Sequence, residues 1–425
     1  MMNKSYLISD RPNTFYILSK IGVIAFFLNV FWFKYVYFES AFILYGTAIL
    51  AIGTMLVDIF NSGVIDISLF PYGVTINIIM SIYSLLTGIF VAVDQTKLLG
   101  SLRTYFVYSL FCLAICYISN RENSIDWLMK TLAFVSLLCC IYTFFQGYYY
   151  IGYGYILSDK INPNNYGLIL VVGVCAIVFL SKNTIGNTTL SVVLVALLLW
   201  GIIQCGSRKS LISVVMLVLF WLVPHIGNMI INEHHYGKLI GLILAVSIAF
   251  GAYYVFKNIY MGSDSQIRML KLGNESEVSS SMRRYYYQLS WSLFLKKPLF
   301  GVGFNQFQEY SSSGLFSHSL YAESISCWGL IGCLLYYPPL VIAIVGACSI
   351  GFGTDKNTNG KKMFAILILE LFMGTGQVLY YEINHLVLLT AVYCWLSNYQ
   401  KKDIRENGSH EVIVHECKYI KKNSP

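Results

Sequence analysis

Apolar residues in this chain come in continuous blocks rather than alternating with polar ones. About twelve blocks reach roughly 18 residues, the length a helix needs to cross the hydrocarbon of a bilayer. Lipid offers the backbone no hydrogen-bond partner, so only helices and closed barrels span it, and unbroken apolar runs select helices. The expected fold is all-α and polytopic, with spans beginning near Phe15, Phe38, Tyr72, Ser101, Trp127, Asn165, Thr188, Lys209, Leu239, Leu320, Met363 and Ile383. One long polar interval, 257–319, falls between the ninth and tenth spans, and a basic tail occupies 398–425. No fixed-period repeat and no pair of interrupted helices stands out, so residues 1–425 read as one polytopic domain rather than as the inverted halves of a transporter. The polar opening "MMNKSYLISDRPNT" is too short to hold a cleavable signal, so the first span is expected to be retained.

Composition agrees with a membrane protein: 56% of the 425 residues are hydrophobic and 12% charged, about half the charged share of a soluble domain. Basic residues in short loops report orientation. A cytoplasmic N-terminus places Lys4, Arg11, Lys20, Arg121, Lys130, Lys182, Lys238, Lys356, Lys361 and Lys362 inside, and leaves Lys34, Lys97, Arg103, Lys160, Arg208 and Lys209 in short outer loops. An even number of spans returns the basic tail to the cytoplasm, so the long interval faces outward. The expected location is the cytoplasmic (inner) membrane. Seven of the 29 basic residues lie in that outer interval, which favours an anionic ligand there. Most of the eleven cysteines sit inside apolar spans as small hydrophobes, and no disulfide framework is expected.

The outer interval has internal order. "SSSMRRYYYQLSWSLFLKKP" predicts a helix, with Tyr286, Leu289, Leu293 and Phe294 at helical spacing, serines near Ser281 as caps, and Lys296, Lys297 and Pro298 as its close. Its tyrosines, tryptophan and basic flanks suit the lipid headgroup level, with Arg283 and Arg284 in its first turn.

Several residues could carry chemistry. Arg208, in "QCGSRKSLIS", reads either as an interfacial snorkelling arginine or as a phosphate clamp, since a guanidinium matches phosphate oxygens in a bidentate fork. Arg283 and Arg284 read either as headgroup anchors or as a second fork on the same anion. His318 is a surface histidine or a base for a sugar hydroxyl, with Glu323 close enough to orient an imidazole if a helix starts between them. "INPNNYG" opens a helix, and its Asn162 and Asn164 are caps or sugar ligands. Glu382 and His385, three apart at an outer turn, are ionisable groups of the kind that face a cavity. "EHH" at Glu233–His235 reads as a solvated face. No phosphate-binding loop, zinc-protease motif or paired CxxC occurs, so no metal site and no cofactor is expected.

The stretches "NPNNYG", "SRKS", "RRYYYQLSWSLFLKKPLFGVG", "HSLYAES" and "GLIG", in that order, resemble the O-antigen polymerase and O-antigen ligase superfamily over residues 161–332. Counting back from Pro298, Arg283 falls where that family's loop arginine lies, with Arg284 beside it; Ser319 departs from the asparagine that usually follows the histidine. The resemblance implies transfer of a glycan from a polyprenyl-pyrophosphate carrier to an acceptor hydroxyl on the outer face of the cytoplasmic membrane, without metal or nucleotide sugar. Arg208 and Arg283 would bind the pyrophosphate, His318 would position or deprotonate the hydroxyl, and Arg284, Asn162, Asn164 and Glu323 would line the substrate. A polymerase joining lipid-linked repeat units of O-antigen or capsule is the expected activity; a ligase acting on lipid A core and a lipid-linked oligosaccharide flippase are the alternatives. Expected partners are the lipid-linked oligosaccharide, membrane lipids, a chain-length regulator and a flippase, and no nucleic acid.

Overall fold

A computed structural model describes residues 14–33, 41–62, 70–145, 163–181, 185–205, 207–231, 276–353 and 357–422. The described residues form helices and turns without a strand: α1 (Thr14–Leu28, running into a π-turn at Asn29–Phe33), α2 (Ala41–Ser62), α3 (Tyr72–Val91), α4 (Gln95–Arg121), α5 (Asp126–Phe145), α6 (Pro163–Leu180), α7 (Ile185–Cys205), α8 (Arg208–Ile231), α9 (Ser276–Lys296), the single turn α10 (Phe307–Tyr310), α11 (Leu320–Phe352), α12 (Thr358–Gly374) and α13 (Ile383–Lys422). Six of them are long and apolar enough to cross a membrane, and shorter apolar helices cover Asn164–Leu180 and Lys209–Trp221. The fold is that of an all-α polytopic membrane protein. The span expected near Leu239, Glu233–His235 and the first part of the outer interval lie outside the described residues.

Three helix starts differ from expectation; α12 begins at Thr358 rather than Met363 because Asn357 caps a polar first turn. α4 begins at Gln95 rather than Ser101, because the Asp94 carboxylate accepts from the Lys97 backbone N–H at 2.9 Å and caps a polar first turn that hydropathy does not register. α9 begins at Ser276, so Arg283 and Arg284 lie two turns inside it rather than at its start. The apolar stripe of α9 is as the spacing predicts: Tyr286 and Leu293 are buried, with Val302, Phe307 and Cys327, and Leu289 packs against them. That stripe therefore covers protein rather than lying against headgroups.

Consecutive helices pack as antiparallel neighbours, α1 on α2, α3 on α4, α5 on α6 and α11 on α12. Close approach is bought by small residues, as is usual in membrane bundles: a Cβ on Gly22 would sit 2.7 Å from the Ala51 nitrogen of α2. One end of the bundle is tied by charge. Arg121 of α4 pairs with buried Asp58 of α2, whose carboxylate also accepts from the Tyr117 hydroxyl, while Glu122 takes both Lys20 and the Tyr16 hydroxyl of α1.

The opposite end is organised by a break in α11. Gly329 has φ 64° and ψ −166°, left of the region a side chain favours, and a Cβ there would lie 2.5 Å from the Leu299 carbonyl oxygen. The break frees backbone groups that must be paired inside a membrane protein. The segment 298–303 supplies the partners: Leu330 N–H donates to Pro298 O (2.8 Å), Ile331 N–H to Leu299 O (3.2 Å), Val302 N–H to Ser326 O (2.9 Å) and Gly303 N–H to Cys327 O (3.0 Å). The motif "PLFGVG" is thus a strap stitched across a broken helix. Beyond it, fully buried Gln306 accepts from Val93 and Asp94 N–H (3.0 and 2.8 Å) and donates to Asp94 O (3.0 Å), which clamps the strap to the α3–α4 turn.

Candidate functional site

The strap fixes where α9 ends, and so where its second and third turns lie. They lie over the junction of α8, α11 and α12. Tyr287 of α9 donates to the Thr375 carbonyl just past α12 (3.1 Å), and Tyr286 bonds Ser313 (2.7 Å) while its ring lies 5.9 Å from the His318 imidazole.

His318 sits between two serines that hold its backbone. Ser317 donates its N–H (2.9 Å) and its hydroxyl (2.8 Å) to one oxygen of Glu323, and the same hydroxyl reaches Ser319 O (2.9 Å). Ser319 then caps α11, its side chain accepting from Ala322 N–H. Between them His318 adopts φ 57°, a left-handed conformation rare for a residue with a side chain and concentrated at functional sites. The ring is left exposed while its flanks are buried.

Cations gather around this ring. Crowding by the protein, then the positive charges of Arg283 and Lys209, hold the His318 pKa below its ordinary value. Lys209, the second residue of α8, reaches across to donate to the Met373 carbonyl at 2.9 Å. Gly376 makes room for that ammonium: a Cβ there would lie 2.0 Å from Lys209 Nζ and 3.8 Å from the His318 carbonyl oxygen. Among the described residues no carboxylate pairs with Lys209, Arg283 or Arg284; Glu323 is engaged by Ser317, and Glu309 pairs with Lys97 at 2.7 Å. The N-terminus of α8, with its positive dipole end, starts just past Ser207, whose hydroxyl accepts from Ser210 N–H at 3.4 Å. The arrangement brings the cations Lys209 and Arg283 within electrostatic reach of the His318 imidazole.

The residues expected from sequence distribute as follows. Arg283 is exposed and is the arginine whose charge acts on His318 and Lys209; Arg284 is exposed on the next position of α9. Arg208 is the first residue of α8, beside Lys209, and its side chain lies outside the described residues. Asn162 also lies outside them. Asn164 stands exposed in the first turn of α6, where its side-chain oxygen accepts from the Ser207 hydroxyl at 3.1 Å, joining the α6 start to the α8 start. Glu323 is fully buried and grips the chain beside His318, through Ser317 rather than through the imidazole.

Other residues were not singled out. Lys209 has its signal in "SRKS", next to Arg208. Glu370 had none, being one carboxylate in an apolar helix; it bonds His385 Nδ1, whose Nε2 lies 2.9 Å from the Tyr336 hydroxyl, in a buried group joining α11, α12 and α13. His385 therefore faces helices rather than a cavity.

A comparison with curated proteins returns no match. The O-antigen ligase family, by contrast, matches residues 169–337. That range runs from α6 through the first half of α11 and contains Arg208, Lys209, the α9 arginines, the strap, His318 and Glu323. With this match the segment that builds the site is assigned to the O-antigen polymerase and ligase superfamily of membrane proteins.

Proposed function

We propose that the protein is a polymerase of surface polysaccharide. It moves a glycan from its polyprenyl-pyrophosphate carrier to a hydroxyl of a second lipid-linked repeat unit on the outer face of the cytoplasmic membrane, with both termini in the cytoplasm. The observation that carries this reading is the grouping of Lys209, Arg283 and the α8 N-terminus around His318, with no carboxylate pairing with either side chain among the described residues.

The chemistry follows from the charges. The acceptor oxygen attacks the anomeric carbon of the donor glycan, and the bond from that carbon to the pyrophosphate oxygen breaks, leaving its electron pair on the pyrophosphate. Charge grows on the leaving group as the bond stretches, so fixed cations stabilise the transition state more than the bound substrate. Arg208, Arg283 and Lys209 take that role, and Arg284 stands one position from Arg283 to extend it. His318, held unprotonated, receives the proton that the hydroxyl loses. Binding of the pyrophosphate offsets the repulsion from Arg283 and Lys209, so the imidazole gains proton affinity as the donor arrives. No cofactor is needed. Asn164, in the first turn of α6, and Asn162 would meet the sugars; a chain-length regulator and a flippase would be companions.

A ligase uses the same donor chemistry with lipid A core as acceptor, and the family's description favours keeping that reading beside the first. Incubating the purified protein with a lipid-linked repeat unit alone separates them. A ladder of products identifies the polymerase; reaction only after lipid A core is added identifies the ligase; and no glycan transfer in either mixture, with lipid-linked substrate moved across vesicles instead, identifies a flippase.

A further inference from the structure

The surface of α9 that its packing on α11 leaves open has two kinds of chemistry. At 3.6 residues per turn, Tyr287, Trp291 and Leu295 stack along one line of the helix, and all three are exposed. Phe294 borders that line, its ring 5.3 Å from the Trp291 indole. The next line round the helix is polar: Gln288, Ser292 and Lys296 are exposed at the same spacing. The helix therefore has three sectors, one packed on protein, one apolar and open, one polar and open. A helix seated on a protein surface in water needs only two, with its apolar residues gathered in the packed stripe.

The open apolar line does not stop at the end of the helix. Leu299 and Phe300, both exposed, carry it into the strap. There Leu330 N–H donates to Pro298 O at 2.8 Å and Lys297 Nζ donates to Val91 O at 3.4 Å, so the strap lies against α11 and the end of α3. Both of those helices are long and apolar enough to cross a membrane, and beside the strap they expose Leu330 and Leu334 of α11 and Phe90 of α3. Leu295 is 62% exposed, the same as Leu334. The last turns of α9 are thus as open as the flank of a spanning helix, and the strap joins the two surfaces.

An exposed apolar surface of this extent marks an interaction site, and its continuity with the flanks of α3 and α11 names the occupant as lipid. We propose that α9 lies in the membrane interface at the strap end of the bundle, with Tyr287, Trp291, Leu295 and Phe300 among the upper acyl chains and the line of Gln288, Ser292 and Lys296 turned to water. Tryptophan and tyrosine favour that depth, and an interfacial helix buries its apolar face by about 5–10 Å. Arg283 and Arg284, one turn before Tyr287, then stand at the level of the headgroup phosphates. That is the depth at which a membrane-held pyrophosphate would be presented, a consequence that rests on the proposed function, whereas the docking of α9 does not.

The test is photocross-linking of the full-length protein in phosphatidylcholine nanodiscs. Leu295→p-benzoylphenylalanine probes the apolar line, Ser292→p-benzoylphenylalanine the polar line and Leu334→p-benzoylphenylalanine the flank of α11, with lipid adducts read by intact-protein mass spectrometry. Position 295 should give adducts at the level of position 334 and roughly fivefold above position 292. Equally low yields at 295 and 292 overturn the proposal, as does cross-linking of position 295 to a second copy or to another segment of the chain in place of lipid. A second measurement keeps the test open if the probe disturbs the helix. The emission of Trp291, taken as the difference between native protein and Trp291→Phe, should fall about twofold or more in nanodiscs of lipid brominated high on the acyl chains. Unchanged emission overturns the proposal. Neither readout depends on glycan transfer, so failure of the docking and failure of the proposed function are told apart.

Discussion

Ser317 places its backbone N–H and its hydroxyl on one oxygen of Glu323, at 2.9 and 2.8 Å, and the residue that follows is His318 at φ 57°. The carboxylate is wholly buried, so its contribution is to hold a backbone conformation that the chain would otherwise leave. The proposed role of Glu323 is therefore to position the imidazole through Ser317. Glu323→Ala strands the buried Ser317 N–H, at a cost of about 1–3 kcal/mol for a group left unpaired, while the Ser317 hydroxyl keeps the Ser319 carbonyl as its acceptor. The expected outcome is a fall in turnover of roughly 10–100-fold with a smaller change in KM, since donor binding rests on other side chains. Steady-state kinetics on the purified variant checks it, and a KM effect larger than the turnover effect would place Glu323 in substrate binding instead.

Lys209 gives a sharper test because a single methyl group can displace it. Gly376→Ala would put a carbon 2.0 Å from Lys209 Nζ, so the ammonium must leave the Met373 carbonyl. Gly376→Ala and Lys209→Met should each lower turnover by about 10²–10³, the usual loss when one preorganised donor to a developing anion is removed. The two losses should not add in the double variant, since both act through one ammonium. Additive losses would give Gly376 a separate role.

Most of the fold was legible in the sequence, because span-length apolar runs report helices directly and the described helix starts fall near those expected. What hydropathy could not show were the polar first turns of α4 and α12, where the caps Asp94 and Asn357, not apolar spacing, set the start. The site was legible as an order of short motifs, yet "PLFGVG" could not announce that it closes a break at Gly329, since the partner lies about thirty residues on. Glu370 and His385 were invisible as a pair for the same reason: one belongs to α12 and the other to α13, and only packing brings them together.

The pH profile follows from the direction of the His318 shift. Its folded pKa lies below the ordinary imidazole value, so the neutral base persists as pH falls through about 6.5 and is lost only at lower pH. The acid limb of kcat/KM, which reports the free enzyme, should therefore fall below the ordinary histidine value. In kcat the limb should lie higher, because bound pyrophosphate offsets Arg283 and Lys209. Arg283→Gln should raise the kcat/KM limb. A limb unmoved by Arg283→Gln would mean that Arg283 does not act on the titrating group.

Gly329 tests the strap. Gly329→Ala forces a side chain into φ 64° and into the Leu299 carbonyl, so the strap must unzip from α11. Strain of about 1–3 kcal/mol at that residue, together with backbone groups left unpaired, should lower the thermal midpoint in detergent and remove transfer activity. A variant with native midpoint and native activity would show that the break is dispensable.

The central claim is that the cations around His318 carry the leaving pyrophosphate while the imidazole takes the acceptor's proton. Single-turnover transfer between two lipid-linked repeat units, followed by product ladder on purified protein, tests it most directly. Native protein should extend the chain, His318→Ala should bind donor but give no ladder, and Arg283→Ala should lose both donor affinity and extension. A His318→Ala variant that extends the chain at the native rate would contradict the account.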